Sequence, residues 1–198
     1  MAFLLTNAFA MPKAVTTRTD KHVLPEPVVM VQTEVEDNVV YAPVDGQAMP
    51  LAKLPDPVFS SGMMGQGPAI EPAKDGVLNV LAPQQGHISL VADTGHAYGL
   101  ITDQGIELLL HIGIDTVNLK GKGFTTAVTV GQEVSQGTVL GTVDIAQIKA
   151  AGLNPAIMTI VTNTPDFDHI EVTGQTKLAA GDPMLTLQKA IFKKENDN

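Results

Sequence analysis

The segment from Thr94 to Thr116, TGHAYGLITDQGIELLLHIGIDT, gathers the side chains of this chain best suited to chemistry. His96 and His111 flank a turn signal, Asp103-Gln104-Gly105, set between two apolar runs, which is the pattern of a β-hairpin. In the second run Ile106, Leu108, Leu110, Ile112 and Ile114 share one face at a period of two, and Glu107, Leu109, His111, Gly113 and Asp115 share the other. The first is a core face. The second carries an imidazole, two carboxylates and a glycine. Two imidazoles side by side can bind a metal, share a proton, or divide the work, one as nucleophile and the other handling charge. A nucleophilic histidine attacks phosphorus through one neutral ring nitrogen, while the other N–H usually donates to a carbonyl and fixes the tautomer. Gly113, with no side chain on the His111 face, would leave room for a phosphoryl group or a partner's side chain. Thr94, two residues before His96, could orient a ring. Spacing alone is equally compatible with two surface histidines on a sandwich.

Hairpin register decides whether the rings meet. Opposed residues of an antiparallel pair have a constant index sum. A two-residue loop at Asp103-Gln104 gives 207 and sets His96 opposite His111; a loop at Gln104-Gly105 gives 209 and sets them diagonally on one face. A sum of 208, as a bulge would give, puts them on opposite faces of a regular ladder. The expectation is a facing pair.

The elements around this hairpin read as short strands between frequent glycines and prolines, the signature of an all-β sandwich or barrel. Candidate strands are Val39–Ala42, Val77–Ala82, Gly86–Val91, His96–Thr102, Ile106–Ile114, Ala127–Val130, Val139–Val143, Ile157–Val161 and Met184–Leu187. One short helix is predicted at Ile145–Ala151, with Asp144 as N-cap and Gly152 past its end. Two internal repeats point to two related halves: Ala42-Pro43-Val44-Asp45-Gly46 with Ala82-Pro83-Gln84-Gln85-Gly86, and Val134-x-x-Gly137-x-x-Leu140 with Leu178-x-x-Gly181-x-x-Met184. Residues 1–35 read as a tail or linker remnant, 36–192 as the domain, and 193–198 as a solvated C-terminal tail.

Composition bounds the function. The 198 residues carry a net charge of −9, which argues against nucleic-acid or anionic-membrane binding. With no cysteine there is no disulfide, thiolate metal site or cysteine nucleophile, which fits a reducing compartment. No apolar run reaches the ~18 residues of a membrane-spanning helix, so no stable membrane insertion is expected. Ala2–Ala10 lacks a basic start and is interrupted by Thr6 and Asn7, unlike a secretory signal. Lys53 lacks the flanking Met or Asp of a biotinyl or lipoyl carrier, and no His-x-His pair supports a zinc peptidase.

The run Gly105–Val117, GIELLLHIGIDTV, closely resembles the signature of the glucose-type enzyme IIA component of the bacterial phosphoenolpyruvate-dependent sugar phosphotransferase system. Tyr41–Gly46, Leu54–Phe59, Gly65–Ile70, Ala82–Gly86, Thr94–Ala97, Lys120–Phe124 and Gly181–Pro183 extend the likeness in order over about residues 36 to 192. The resemblance implies an antiparallel β-sandwich with one or two short helices, a cytoplasmic location, and no cofactor or metal. It implies that His111 takes a phosphoryl group from the histidine-containing phosphocarrier protein and passes it to a cysteine of the enzyme IIB domain of a sugar permease. By resemblance His96 is the neighbouring active-site histidine, and Thr94 the supporting hydroxyl. Asp56 and Asp115 are then rim carboxylates, and Val58, Phe59, Met63 and Met64 an exposed recognition patch. The alternative is a regulatory domain of a sugar transporter that is phosphorylated but does not pass the group on. Read without the resemblance, Asp56 is a turn residue before Pro57, the four apolar residues are ordinary core, and His22, His87 and His169 are solvated.

Overall fold

The computed structural model describes residues 38–189; the segment read as a tail (1–35), with His22, and the C-terminal tail (193–198) lie outside the described residues. The apolar runs fold as strands because each is short, rich in Val, Ile and Leu, and closed by a glycine or proline turn. In chain order they are β1 (Val39–Tyr41), β2 (Gly46–Pro50), β3 (Pro68–Pro72), β4 (Val77–Leu81), β5 (Gly86–Val91), β6 (Ala97–Thr102), β7 (Glu107–Ile112), β8 (Phe124–Thr126), β9 (Glu133–Val134), β10 (Val139–Asp144), β11 (Ile157–Val161), β12 (Phe167–Val172), β13 (Lys177–Leu178) and β14 (Pro183–Lys189). Two short helices accompany them, α1 (Pro57–Ser60) and α2 (Ile145–Ala150). All pairings are antiparallel, in sheets ordered β13-β2-β3-β11-β7-β6-β5-β9, β1-β14-β12 and β4-β10-β8. The expected all-β sandwich is the fold.

The repeats are real and reciprocal. Tyr41 N–H donates to the Pro83 carbonyl and Leu81 N–H to that of Pro43. Ala42 donates to Asp182 and accepts from Gly181, just as Ala82 donates to Thr138 and accepts from Gly137. Leu178 pairs with Gly46 as Val134 pairs with Gly86. A Cβ on Gly46 or Gly86 would collide with the backbone of the neighbouring strand, at Glu71 or Ile101, so both copies of the turn need glycine.

The helix over 145–150 forms as predicted: the Asp144 carboxylate accepts from Ala146 N–H (3.0 Å) and Gln147 N–H (3.3 Å), and Gly152 follows with φ +74°. The strand expected at Ala127–Val130 does not form. Pairing with β10 ends at Thr126, Ala127 makes one further bond to Leu140, and the chain turns at Gly131. Conversely β2, β3 and β12 arise where no strand was read. Prolines close β2 and bracket β3, and charged residues occupy β12, which includes His169.

The eight-stranded sheet is apolar on both faces. Leu108, Leu110 and Ile112 of β7, with Ile157 and Val161 of β11 and Ile70 of β3, point into the main core. On the reverse face Leu109, Met158, Ile160 and Ala69 form a second cluster, covered by Leu51, Leu54 and Phe59 from the segment carrying α1. The core face read from the sequence therefore holds for Ile106, Leu108, Leu110 and Ile112. Ile114 instead joins the second cluster, because Gly113, with φ +71°, breaks the alternation after β7 ends.

Candidate functional site

His111 sits near the end of β7, flanked on one side by Met158 of β11 and on the other by Ala97 of β6. The pairing of Ala97 with His111 corresponds to the index sum 208, not 207 or 209. The hairpin loop has three residues: Thr102 N–H donates to the Ile106 carbonyl, Gly105 N–H to that of Thr102, and Gly105 takes φ +77°. In a regular ladder that register would separate the histidines. They meet because His96 stands just before β6, in a bend after Gly95 (φ +70°), while its carbonyl accepts from Ile112 N–H at 2.8 Å. Small Ala97 faces His111 on the strand, and the His96 ring lies against that of His111 with centroids 5.0 Å apart at 79°. The expected meeting of rings is correct; the register offered for it is not.

The orientation of His111 fixes its chemistry. Its Nδ1 lies 2.9 Å from the Gly113 carbonyl. A carbonyl only accepts, so Nδ1 carries the proton and Nε2 keeps a lone pair. Thr94 Oγ1 lies 2.5 Å from Nδ1 of His96 and orients that ring in turn. Phe59 packs its ring 4.9 Å from that of His111, tilted by 54°. Burial lowers the His111 pKa to about 4, helped by the neighbouring His96 and opposed by the Gly113 carbonyl, Asp56 and Asp115. Burial also lowers that of His96. At neutral pH both rings are therefore uncharged, and His111 offers a free nitrogen nucleophile.

The remaining expected residues divide. Asp56 is more than a turn residue: its carboxylate caps α1, accepting from Val58 N–H (2.9 Å) and Phe59 N–H (3.0 Å), and its charge reaches His111. Asp115 is exposed on the same rim, in the left-handed region at φ +59°. Phe59 departs from the expected exposed patch: it is 8% exposed and belongs to the second apolar cluster. Val58, Met63 and Met64 are exposed, Met63 at 86%. Gly113 also departs from expectation. The space beside it holds Thr116 and the Asn154 carbonyl, so it offers no vacancy, and its contribution is the carbonyl that orients His111. A cleft of about 210 Å³ opens at His111 between Asp56, Val58, Phe59, Asp115 and two residues not singled out from the sequence, Thr116 and half-exposed Val117. Both follow Asp115 in the signature run, which is where the signal for them lay.

Comparison with known proteins matches this arrangement to one family. Residues 38–167 match the family described as phosphoenolpyruvate-dependent sugar phosphotransferase system, EIIA 1. The chain is 38% identical over 167 residues to the PTS system glucose-specific EIICBA component of Streptococcus pneumoniae, covering 80% of this chain and 23% of that protein. It is 38% identical over 149 residues to the PTS system beta-glucoside-specific EIIBCA component of Bacillus subtilis, covering 75% of this chain and 24% of that protein. The chain thus spans about a quarter of the length of these relatives. Among solved structures, glucose permease IIA from Mycoplasma capricolum superposes with a TM-score of 0.66 at 35% identity, covering 74% of this chain and 93% of that one. The ordered motifs, the sandwich and the paired histidines therefore have one common reading: the chain belongs to the glucose-type EIIA family of the sugar phosphotransferase system.

Proposed function

We propose that His111 accepts a phosphoryl group at Nε2 from the histidine-containing phosphocarrier protein and passes it to a cysteine of an enzyme IIB domain. In the first step the donor's P–N bond breaks as the His111 Nε2–P bond forms, and Nδ1 keeps its proton on the Gly113 carbonyl. In the second, a thiolate sulfur takes the group and the Nε2–P bond breaks. The observation carrying this reading is the Nδ1 contact with Gly113, which commits Nε2 to the role of nucleophile. His96, held by Thr94, serves as a hydrogen-bonding partner for the transferring phosphoryl oxygens, an electrostatic contribution worth a few kcal/mol in comparable sites. Relatives whose names join EIIA to EIIB and EIIC in sugar-specific systems support a IIB domain as the recipient and a role in sugar uptake; on this reading the domain acts in the cytoplasm. No helix among the described residues is long and apolar enough to cross a membrane.

The test is incubation with phosphoenolpyruvate, enzyme I and the phosphocarrier, followed by intact mass and an acid-lability check. Wild type should gain one acid-labile phosphoryl group and His111→Ala none. His96→Gln keeps a donor but cannot titrate, so it should still load at His111 while passing the group to a IIB domain poorly. An acid-labile adduct surviving in His111→Ala would overturn the assignment. A loaded wild type that never donates to any IIB domain would favour the regulatory alternative.

A further inference from the structure

The carbonyl that commits Nε2 of His111 sits in a turn that the backbone resists. Gly113 takes φ +71°, which glycine adopts freely, but Asp115 takes φ +59°, where a residue with a Cβ pays ~1–2 kcal/mol. The turn is held from outside by Gly113 N–H donating to the Ala156 carbonyl and Ile114 N–H donating to that of Asn154, both at 2.9 Å. From inside it is held by Thr116. This side chain is fully buried, donates its hydroxyl to the Ile112 carbonyl at 2.5 Å, and lays its methyl where a Cβ of residue 113 would stand. Thr116 thus closes a ring across Gly113, Ile114 and Asp115, the turn whose backbone presents the acceptor to His111.

We propose that Thr116 is a positioning residue that selects the reactive nitrogen of His111. Its hydroxyl fixes the Ile112 carbonyl at the entry to the turn, and with it the course of the backbone into Gly113, so that the Gly113 carbonyl stays where it accepts from Nδ1–H of His111 and the lone pair is left on Nε2. Without the hydroxyl the turn is held only by its bonds to Ala156 and Asn154, the Gly113 carbonyl is less firmly aimed at Nδ1, and the tautomer protonated on Nε2 gains population. That tautomer has no nucleophilic Nε2. The inference rests on His111 as the phosphoryl acceptor, but the tautomer exists without any phosphoryl transfer, so the two claims can fail separately.

The experiment reads the ring nitrogens of His111 by NMR in 15N-labelled wild type, Thr116→Val and Thr116→Ser at a pH where the ring is neutral. Valine keeps the shape and loses the hydroxyl; serine keeps the hydroxyl and loses the methyl. Wild type and Thr116→Ser should show Nδ1–H. Thr116→Val should shift the tautomer ratio roughly fivefold or more towards Nε2–H, the size of one net hydrogen bond. Phosphorylation followed by 31P NMR should then find Nε2-linked phosphohistidine in wild type and Thr116→Ser, and a lower yield of it in Thr116→Val. If Thr116→Val does not fold, Thr116→Ala replaces it as the variant without a hydroxyl. An unchanged ratio in the variant lacking the hydroxyl, or an equal shift in Thr116→Ser, overturns the proposal. A tautomer that follows the hydroxyl in a protein that takes no phosphoryl group upholds it and overturns the acceptor reading instead.

Discussion

The reactivity of His111 comes from keeping an imidazole neutral where water would let it charge. Burial is the largest cause, and it outweighs the attraction of Asp56 and Asp115. This has a consequence for stability. The folded ring titrates at about 4, below its unfolded value of 6.5. Between those values the unfolded chain binds more protons at this position, so stability falls as pH falls through that window. The contribution is fully present above pH 6.5 and amounts to roughly 3 kcal/mol lost by pH 4. His111→Gln does not titrate, so its stability should decline less over the same range, by on the order of 2–3 kcal/mol in denaturant titrations. Equal declines in both proteins would show that the ring charges freely in the fold. The same shift predicts that loading of wild type with phosphate does not weaken through His111 protonation between pH 7 and pH 5.5.

At the scale of elements, α1 is the piece that makes the site. A four-residue helix has no stability of its own. It exists because Pro57 starts it, the Asp56 carboxylate caps it, and Phe59 anchors it in the cluster on the reverse face of the large sheet. The anchor is also the wall against which His111 packs. Phe59→Ala should therefore cost about 3 kcal/mol of stability and move the His111 titration, followed by NMR, upward from about 4 as water gains access. Asp56→Asn keeps a capping oxygen but removes the charge, so it should leave stability nearly unchanged while lowering the His111 titration further. A titration unmoved in both variants would show that α1 plays no part in the environment of the ring. Of this the sequence showed only Asp56 as a turn residue before Pro57 and, by resemblance, Asp56 and Phe59 at the site; the helix and its anchoring were not legible, although much else was. The core face of β7 shows because its period of two runs unbroken from Ile106 to Ile112. The two halves show because their turns repeat in residue type. The second cluster stays hidden because Leu51, Leu54, Phe59, Ala69 and Met158 are scattered along the chain, partly among prolines, with no local period. The hairpin register stays hidden because Asp103-Gln104-Gly105 suits both a two-residue and a three-residue loop, and only Gly105 in the left-handed conformation decides. β3 stays hidden because Pro68 and Pro72, which read as breakers, stand only at its ends.

At the scale of the whole molecule, the proposed passage of a phosphoryl group between proteins requires contacts that form and release quickly. Such interfaces are small, with a few apolar contacts at the centre and charges at the rim. The surface at His111 has that character. Val58 and Val117 are half-exposed beside the cleft, Met63 and Met64 follow α1 directly, and the carboxylates of Asp56 and Asp115 lie on the cleft's rim. Met63 is 86% exposed and belongs to neither buried cluster, so a charge there should leave stability within ~0.5 kcal/mol. Exposed methionine is flexible and polarisable, which suits a face that meets a donor and a recipient in turn. The acid rim and a net charge of −9 favour basic partners, and they predict association that slows as salt screens it. Val117→Glu places a carboxylate at the mouth of the His111 cleft, and Met63→Glu places one on the exposed segment after α1 that the proposed docking face would include. Both should slow phosphoryl transfer from the phosphocarrier by roughly tenfold or more, equivalent to ~1.4 kcal/mol, in single-turnover kinetics at low carrier concentration. Val77→Glu is the control: Val77 is 67% exposed but lies on β4, in the three-stranded sheet with β10 and β8. It carries the same added charge to a different sheet, so it tests net charge alone and should leave transfer unchanged. If all three variants slow transfer equally, long-range charge sets the rate and the apolar face has no special part in docking. If Met63→Glu matches wild type while Val117→Glu is slow, the contact is confined to the cleft mouth and excludes the methionines after α1.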